Sequence, residues 1–185
     1  MSNIFWNGSV QDEYFTPDYA VDLIIPYLKK KGFKNILCPF DTQKSNFVIR
    51  LVEEGFNVLT NEGYDFFKLP TFYFWNIDAI VSNPPFSKKN EILEKLFKLN
   101  IPFALLLNLS GTLETKKRGT MWREYGIDLL IPDGRISYWN DKIKEEQGSP
   151  TFTSAYFSKG ILPSSLEFVE MKKTPQDWRR FNDKY

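Results

Sequence analysis

Residues 76–110, "NIDAIVSNPPFSKKNEILEKLFKLNIPFALLLNLS", pass from one apolar run to another through a segment of helical periodicity. The first run, "NIDAIVS", reads as a strand. In "NEILEKLFKLN" the residues Ile92, Leu93, Leu96 and Phe97 share one face at about 3.6 residues per turn, which predicts an amphipathic helix. "IPFALLLNLS" is apolar without alternation, as expected for a strand covered on both faces. A strand, a helix and a second buried strand in close succession predict a parallel crossover.

The same grammar extends toward the N-terminus. "NILCPF" (35–40) reads as a buried strand, and "TQKSNFVIRLVEEGF" (42–56) as a helix in which Phe47, Val48, Leu51 and Val52 recur at helical spacing before Gly55. "NVLTNEG" (57–63) is a further strand. Ahead of these, "FTPDYAVDLIIPYLKKKG" (15–32) predicts a first helix, with Thr16 as its cap, Pro17 in its first position, Asp18 at the positive end of its dipole and Gly32 as its stop. Pro26, inside that span, should kink or shorten it. Together these elements predict an α/β protein with a doubly wound, mostly parallel sheet. The last third changes character. "IDLLIP", "RISYW", "TFTSAYFS" and "LEFVEM" read as strands separated by loops, so an antiparallel pairing should finish the sheet, and "TPQDWRRFNDKY" opens like a helix. Without a linker, repeat or low-complexity tract, residues 1–185 read as one domain.

Composition excludes several functions. Twenty-four Lys and Arg against 23 Asp and Glu leave a net charge of +1, so nucleic-acid contact must rest on local patches rather than on the field of the whole molecule. One cysteine, Cys38, allows no internal disulfide, and without histidine there is no Cys/His zinc cluster. The His-dependent nucleophile arrangements are excluded too, so an enzymatic reaction here needs little help with protons. The opening "MSNIFWNGSVQDEYF" lacks a basic, then apolar leader, and no stretch approaches the ~18 apolar residues of a membrane span. A soluble, cytoplasmic protein that makes no membrane contact and holds no metal is expected.

The consecutive prolines of "NPPF" (83–86) stand where the strand "DAIVS" ends, at the carboxyl edge where open parallel sheets bind ligands. Pro84 and Pro85 fix their own φ, and Pro85 also restricts Pro84, so the backbone from Asn83 to Phe86 is stiff. Such a loop can aim the Asn83 side-chain oxygen, the Pro84 carbonyl and the Phe86 ring at one point. Two acceptors and a ring suit an exocyclic amine on a flat base. The acceptors take both N–H hydrogens and favour a tetrahedral nitrogen whose lone pair is free to attack, while the ring stacks on the base for ~1–3 kcal/mol.

"NPPF" resembles the [N/D]-P-P-[Y/F/W] motif of amino-methyltransferases, above all the DNA N6-adenine methyltransferases of the kind carried by phages and restriction systems. That resemblance implies a Rossmann-like class I methyltransferase fold, S-adenosylmethionine as cofactor, and methyl transfer to adenine with Asn83, Pro84, Pro85 and Phe86 at the reacting amine. It implies that Phe15, Thr16 and Pro17 touch the methionine part of the cofactor, that Asp65 and Phe66 of "GYDFF" hold its adenine, and that Glu62, or else Asn61, takes the ribose hydroxyls. The glycine-rich loop expected after the first strand is replaced by "CPFDTQKSNF" (38–47). There Asp41 can meet the methionine ammonium, and Ser45 with the following helix N-terminus can meet the carboxylate.

The resemblance further implies a DNA partner that delivers a flipped adenine. Lys88 and Lys89, with Lys116, Lys117, Arg118 and Arg123 of "ETKKRGTMWR", are the candidate phosphate contacts, and Tyr138 and Trp139 either stack on nucleic acid or fill the sheet edge. A separate target-recognition domain has no room, so specificity is low or comes from loops or a protein partner. For a phage-encoded chain the location is the cytoplasm of a bacterial host. Two alternatives stand beside this one: the same chemistry on RNA or a protein amide, and a methyltransferase-like module that has lost the cofactor and recognises nucleic acid or protein.

Overall fold

The computed structural model describes residues 15–61, 63–140, 145–146 and 152–175. It is an α/β fold compatible with a Rossmann-like arrangement. The central sheet has seven strands in the order β2-β1-β3-β4-β8-β5-β9. Its strands are β1 (Asn35–Leu37), β2 (Asn57–Leu59), β3 (Ala79–Ser82), β4 (Phe103–Asn108), β5 (Asp128–Pro132), β8 (Ser154–Lys159) and β9 (Leu166–Val169). All pairings are parallel except those of β8, which runs antiparallel to both neighbours. The antiparallel finish expected of the last third is thus confined to one strand. Trp139–Asn140 (β6) and Glu145–Glu146 (β7) form a separate two-stranded ribbon.

Side-chain alternation along the buried strands builds two apolar layers. Ile36, Val81, Ala104 and Leu106 face one side, against Tyr19, Ile24, Leu28, Phe47 and Leu51. Leu37, Ile80, Phe103, Leu105 and Leu107 face the other, against Ile92, Leu93, Leu96 and Met121. The first layer is covered by helices α1 (Asp18–Asp22), α2 (Ile25–Lys30) and α3 (Asn46–Glu53), the second by α4 (Lys89–Leu99) and α6 (Lys116–Tyr125). Full burial of each Leu, Ile or Phe contributes about 1.5–3 kcal/mol, which is why β3 and β4 read as unbroken apolar runs.

The single helix expected over 15–32 is two short ones. Pro26 falls in the first turn of α2, where its missing N–H leaves no intrahelical bond unmade. Pro17, expected inside the helix, is instead the residue before it, and no side chain caps α1. Gly32 and Gly55 stop their helices as expected, with φ of 72° and 89°. Of "RISYW" only Trp139 lies in a strand, β6 of the ribbon, and none of it joins the central sheet. Ile136 and Tyr138 are buried instead, and the Ser137 N–H donates to Tyr19 Oη at 2.9 Å. The basic stretch "ETKKRGTMWR" enters the helix α6, capped by Thr115, whose hydroxyl accepts from the Arg118 N–H; the short helix α5 (Leu109–Leu113) precedes it. Two 3-10 turns, Phe66–Lys68 and Thr71–Phe74, connect β2 to β3. The helix expected over 174–185 lies, beyond Pro175, outside the described residues. No described helix is long and apolar enough to cross a membrane.

The chain leaves β1 to form β2 on one side, then crosses back to form β3 on the other. At such a reversal, beyond the carboxyl ends of β1 and β3, open α/β sheets bind ligands. Cys38–Asp41 leave β1 there and Asn83–Phe86 leave β3.

Candidate active site

Asp41 ties three segments together. Its carboxylate accepts from the Ser82 hydroxyl at the end of β3, from the Ser45 hydroxyl at 3.0 Å and from the backbone N–H of Asn83. Burial pushes its carboxyl up to about 6, although all three donors favour the ionised form. The replacement loop "CPFDTQKSNF" therefore stiffens through side-chain bonds where a glycine-rich loop relies on close backbone approach. Ser45 also donates to the Thr42 carbonyl at 2.9 Å, so its hydroxyl is committed within the loop.

Three amide oxygens at this edge are buried with no hydrogen-bond partner among the described residues: those of Asn46, Asn61 and Asn83. An unpaired buried acceptor costs about 1–3 kcal/mol, which a ligand's donors can recover. The other end of each amide is committed. Asn83 Nδ2 donates to Thr16 Oγ1 at 3.1 Å, Asn46 Nδ2 to the Thr16 carbonyl at 2.8 Å, and Asn61 Nδ2 to the Tyr64 carbonyl at 2.9 Å. Thr16, expected to cap α1, is thus buried between Asn46 and Asn83. Phe15 and Pro17 flank it at the entrance to α1.

Pro84 is buried and Pro85, at φ −62°, leads into a short 3-10 turn over Phe86–Lys88. The Pro85 carbonyl accepts from the Lys88 N–H at 3.2 Å, whereas the Pro84 carbonyl accepts no backbone hydrogen bond among the described residues. Phe86 is half-buried, its ring edge-on to Phe152 at 6.1 Å between centroids, and Phe152 in turn lies 6.0 Å from Tyr138. Asn83 Oδ1 and the Phe86 ring thus share the edge expected of them. Tyr138 is buried, so of its two expected roles it packs within the protein and does not stack on a ligand. Of Trp139 only the backbone is described, so the stacking expected of its side chain lies outside the described residues.

The "GYDFF" segment divides its labour otherwise than expected. Asp65 accepts from the Phe67 N–H at 2.9 Å and caps the 3-10 turn. Phe66 is only 4% exposed, packed edge-on against Phe40 at 5.0 Å, and presents no ring to a ligand. What Phe66 provides is anchorage for Asp65 and for Phe40 beside Asp41. Lys95, from α4, holds the same turn: its Nζ donates to the Phe66 carbonyl at 2.6 Å and lies 4.8 Å from the Phe66 ring centre. Glu62 lies outside the described residues.

The expected phosphate contacts separate. Arg118 is corrected outright: it is 3% exposed, and its guanidinium donates to the Thr112 carbonyl at 2.6 Å, the Gly111 carbonyl at 2.7 Å and Asn90 Oδ1 at 2.6 Å. It clamps α5 and α6 to the start of α4 and is out of reach of a phosphate. Lys117 pairs with Glu94 at 2.6 Å, and Lys89 donates to the Gly111 carbonyl at 3.2 Å. Lys88, Lys116 and Arg123 are exposed. Among the described residues there is no acidic or Cys cluster able to hold a metal.

Ser82, Asn46, Phe40 and Phe152 join the site with no local sequence signal. A search of protein-family models and a search of curated proteins return no match to this chain.

Proposed function

We propose that this chain is an S-adenosylmethionine-dependent amino-methyltransferase whose acceptor is the N6 amine of adenine in DNA. The observation that carries the reading is Asn83 Oδ1, a buried acceptor with no partner among the described residues, set on a stiff Pro-Pro loop at the strand-order reversal. The parallel sheet with one antiparallel C-terminal strand supports it, being the arrangement that the resemblance to N6-adenine methyltransferases implies.

The buried donors and acceptors fit the cofactor. An ammonium group needs acceptors, and Asp41 and Asn46 Oδ1 offer them. A ribose hydroxyl needs one, and Asn61 Oδ1 is free at the end of β2. Asp65, on a turn braced by Lys95, stands ready for the adenine. When bound, S-adenosylmethionine would supply an electrophilic methyl group, whose bond to sulfur gives way to the new N–C bond and leaves a neutral thioether. The chain's own residues act on the acceptor: Asn83 Oδ1 and the Pro84 carbonyl take the two N–H hydrogens and localise the nitrogen lone pair. Phe86 holds the base face, and one N–H proton leaves to solvent after the new N–C bond forms, consistent with a chain that has no histidine.

The test is transfer of labelled methyl from S-adenosylmethionine to adenine-containing DNA, with Asn83→Ala as the control. Transfer that Asn83→Ala abolishes while cofactor binding persists supports the reading; a wild-type protein inert toward every acceptor overturns it. A second reading puts the same chemistry on RNA or a protein amide; the thin cationic surface, with Arg118, Lys117 and Lys89 engaged within the protein, favours the protein amide within it.

A further inference from the structure

An asparagine side chain is chemically two-faced. Turning its amide over exchanges an acceptor for a donor at the same place with little change of shape. For an amine acceptor this decides the outcome, because Asn83 Nδ2 facing the amine sets donor against donor and leaves the nitrogen lone pair delocalised.

The Asn83 side chain is anchored by Thr16. Asn83 Nδ2 donates to Thr16 Oγ1 at 3.1 Å, and Oδ1 is left buried without a partner. The backbone of Asn83 is fixed separately through its N–H to Asp41. Thr16 is itself held: its carbonyl accepts from Asn46 Nδ2 at 2.8 Å, and both residues are buried, at 6% and 2% exposure. A β-branched side chain is stiff at χ1, so the hydroxyl oxygen is presented at a fixed place. The chain Asn46–Thr16–Asn83 thereby links the start of α3 to the Pro-Pro loop.

We infer that Thr16 is a positioning residue for the amine-methylation reaction: its hydroxyl hydrogen-bonds one end of the Asn83 amide and so anchors the side chain with its other end, Oδ1, toward the amine. This rests on the function proposed above. It differs from the role that the resemblance implies for Thr16, which is contact with the methionine part of the cofactor.

Thr16→Val removes the oxygen at nearly constant shape, and Thr16→Ser keeps it. Two readouts are needed. The first is the side-chain amide signal of Asn83 by NMR, assigned by its loss in Asn83→Ala, which reports the hydrogen bond whether or not the protein is active. The second is kcat and KM for methyl transfer, with cofactor affinity by calorimetry. The expected result is an Asn83 amide pair that shifts and exchanges faster in Thr16→Val but not in Thr16→Ser. It comes with about a tenfold loss of kcat in Thr16→Val, the effect of one hydrogen bond expressed in the transition state, largely restored in Thr16→Ser, and unchanged cofactor affinity. An unmoved amide signal in Thr16→Val overturns the inference, as does unchanged kcat with weakened cofactor binding, which makes Thr16 a cofactor residue. A wild-type protein without transfer to any acceptor overturns the underlying reading instead, and the amide signal still tells whether Thr16 orients Asn83.

Discussion

The Ser82 hydroxyl donates to the Asp41 carboxylate, joining the last residue of β3 to the loop after β1 across the strand-order reversal. The next residue after Ser82 is the acceptor Asn83, whose backbone N–H reaches the same carboxylate. One acidic group therefore fixes the approach to the Pro-Pro loop.

Because burial raises Asp41 from 3.8 to about 6, its protonation is linked to folding. The native state holds a proton between pH 4 and 6 that the unfolded chain releases. The group's favourable contribution is complete below about pH 4 and is lost as pH rises through about 6. Asp41→Asn should flatten the pH dependence of denaturant-induced unfolding in this window; identical profiles for the two proteins would refute the linkage. The ionised form accepts all three donors, so methyl transfer should decline below pH 6 in the wild type.

Arg118→Met should destabilise the fold by on the order of 3 kcal/mol, because two carbonyls and Asn90 Oδ1 lose a buried donor. Arg118→Lys should recover little of this, since an ammonium cannot reproduce the fork of a guanidinium. Chemical denaturation measures both, and a surface-like loss under 0.5 kcal/mol would contradict the clamp.

Charge removal at exposed positions should behave differently. Lys88→Ala and Lys116→Ala should leave stability nearly unchanged and each lower the salt dependence of DNA binding by about one phosphate contact. Binding titrations at several salt concentrations give the slope; unchanged slopes in both variants would remove these two lysines from the proposed DNA contact.

Lys95 braces the turn that bears Asp65. Lys95→Met keeps the aliphatic stem but frees the carbonyls of Phe66 and Leu69, so the turn bearing Asp65 should loosen. About a tenfold loss of cofactor affinity is expected, the effect of one charged hydrogen bond, with kcat at saturating cofactor little altered. A normal dissociation constant by calorimetry would separate the turn from the cofactor.

Phe86→Ala should weaken acceptor binding by about 1–3 kcal/mol while Phe86→Trp retains most of it. Its partner Phe152, met edge-on, should show a smaller loss on truncation, because the contact is with Phe86 itself.

What was legible in the sequence follows from how local each signal is. β3, α4 and β4 announce themselves through unbroken apolar runs and helical spacing, since those residues bury both faces of a sheet or one face of a helix. The Pro-Pro loop is legible because its rigidity is covalent. Helix α6 is not, because "KKRGTMWREY" buries only Met121 and Arg118 and so shows no apolar period. A buried Arg118 and a solvated Arg123 look alike in sequence; the carbonyls that enclose the first come from α5 and its accepting Asn90 from α4. Thr16 and Asn83 meet only through the fold. Phe66 reads as a ligand contact by its neighbour Asp65, whereas packing with Phe40 and Phe74 takes its ring into the core.

The antiparallel strand β8 carries a consequence for how the protein is made. It lies between β4 and β5, pairing residues 103–108 with 154–159. As the chain emerges from the ribosome, β4 leaves one row of backbone donors and acceptors open until Ser154–Lys159 has been translated. Nascent chains that stall before that point carry an uncovered apolar strand edge, the surface that chaperones bind and that seeds aggregation. The sheet is closed from the middle, by its late-arriving strand.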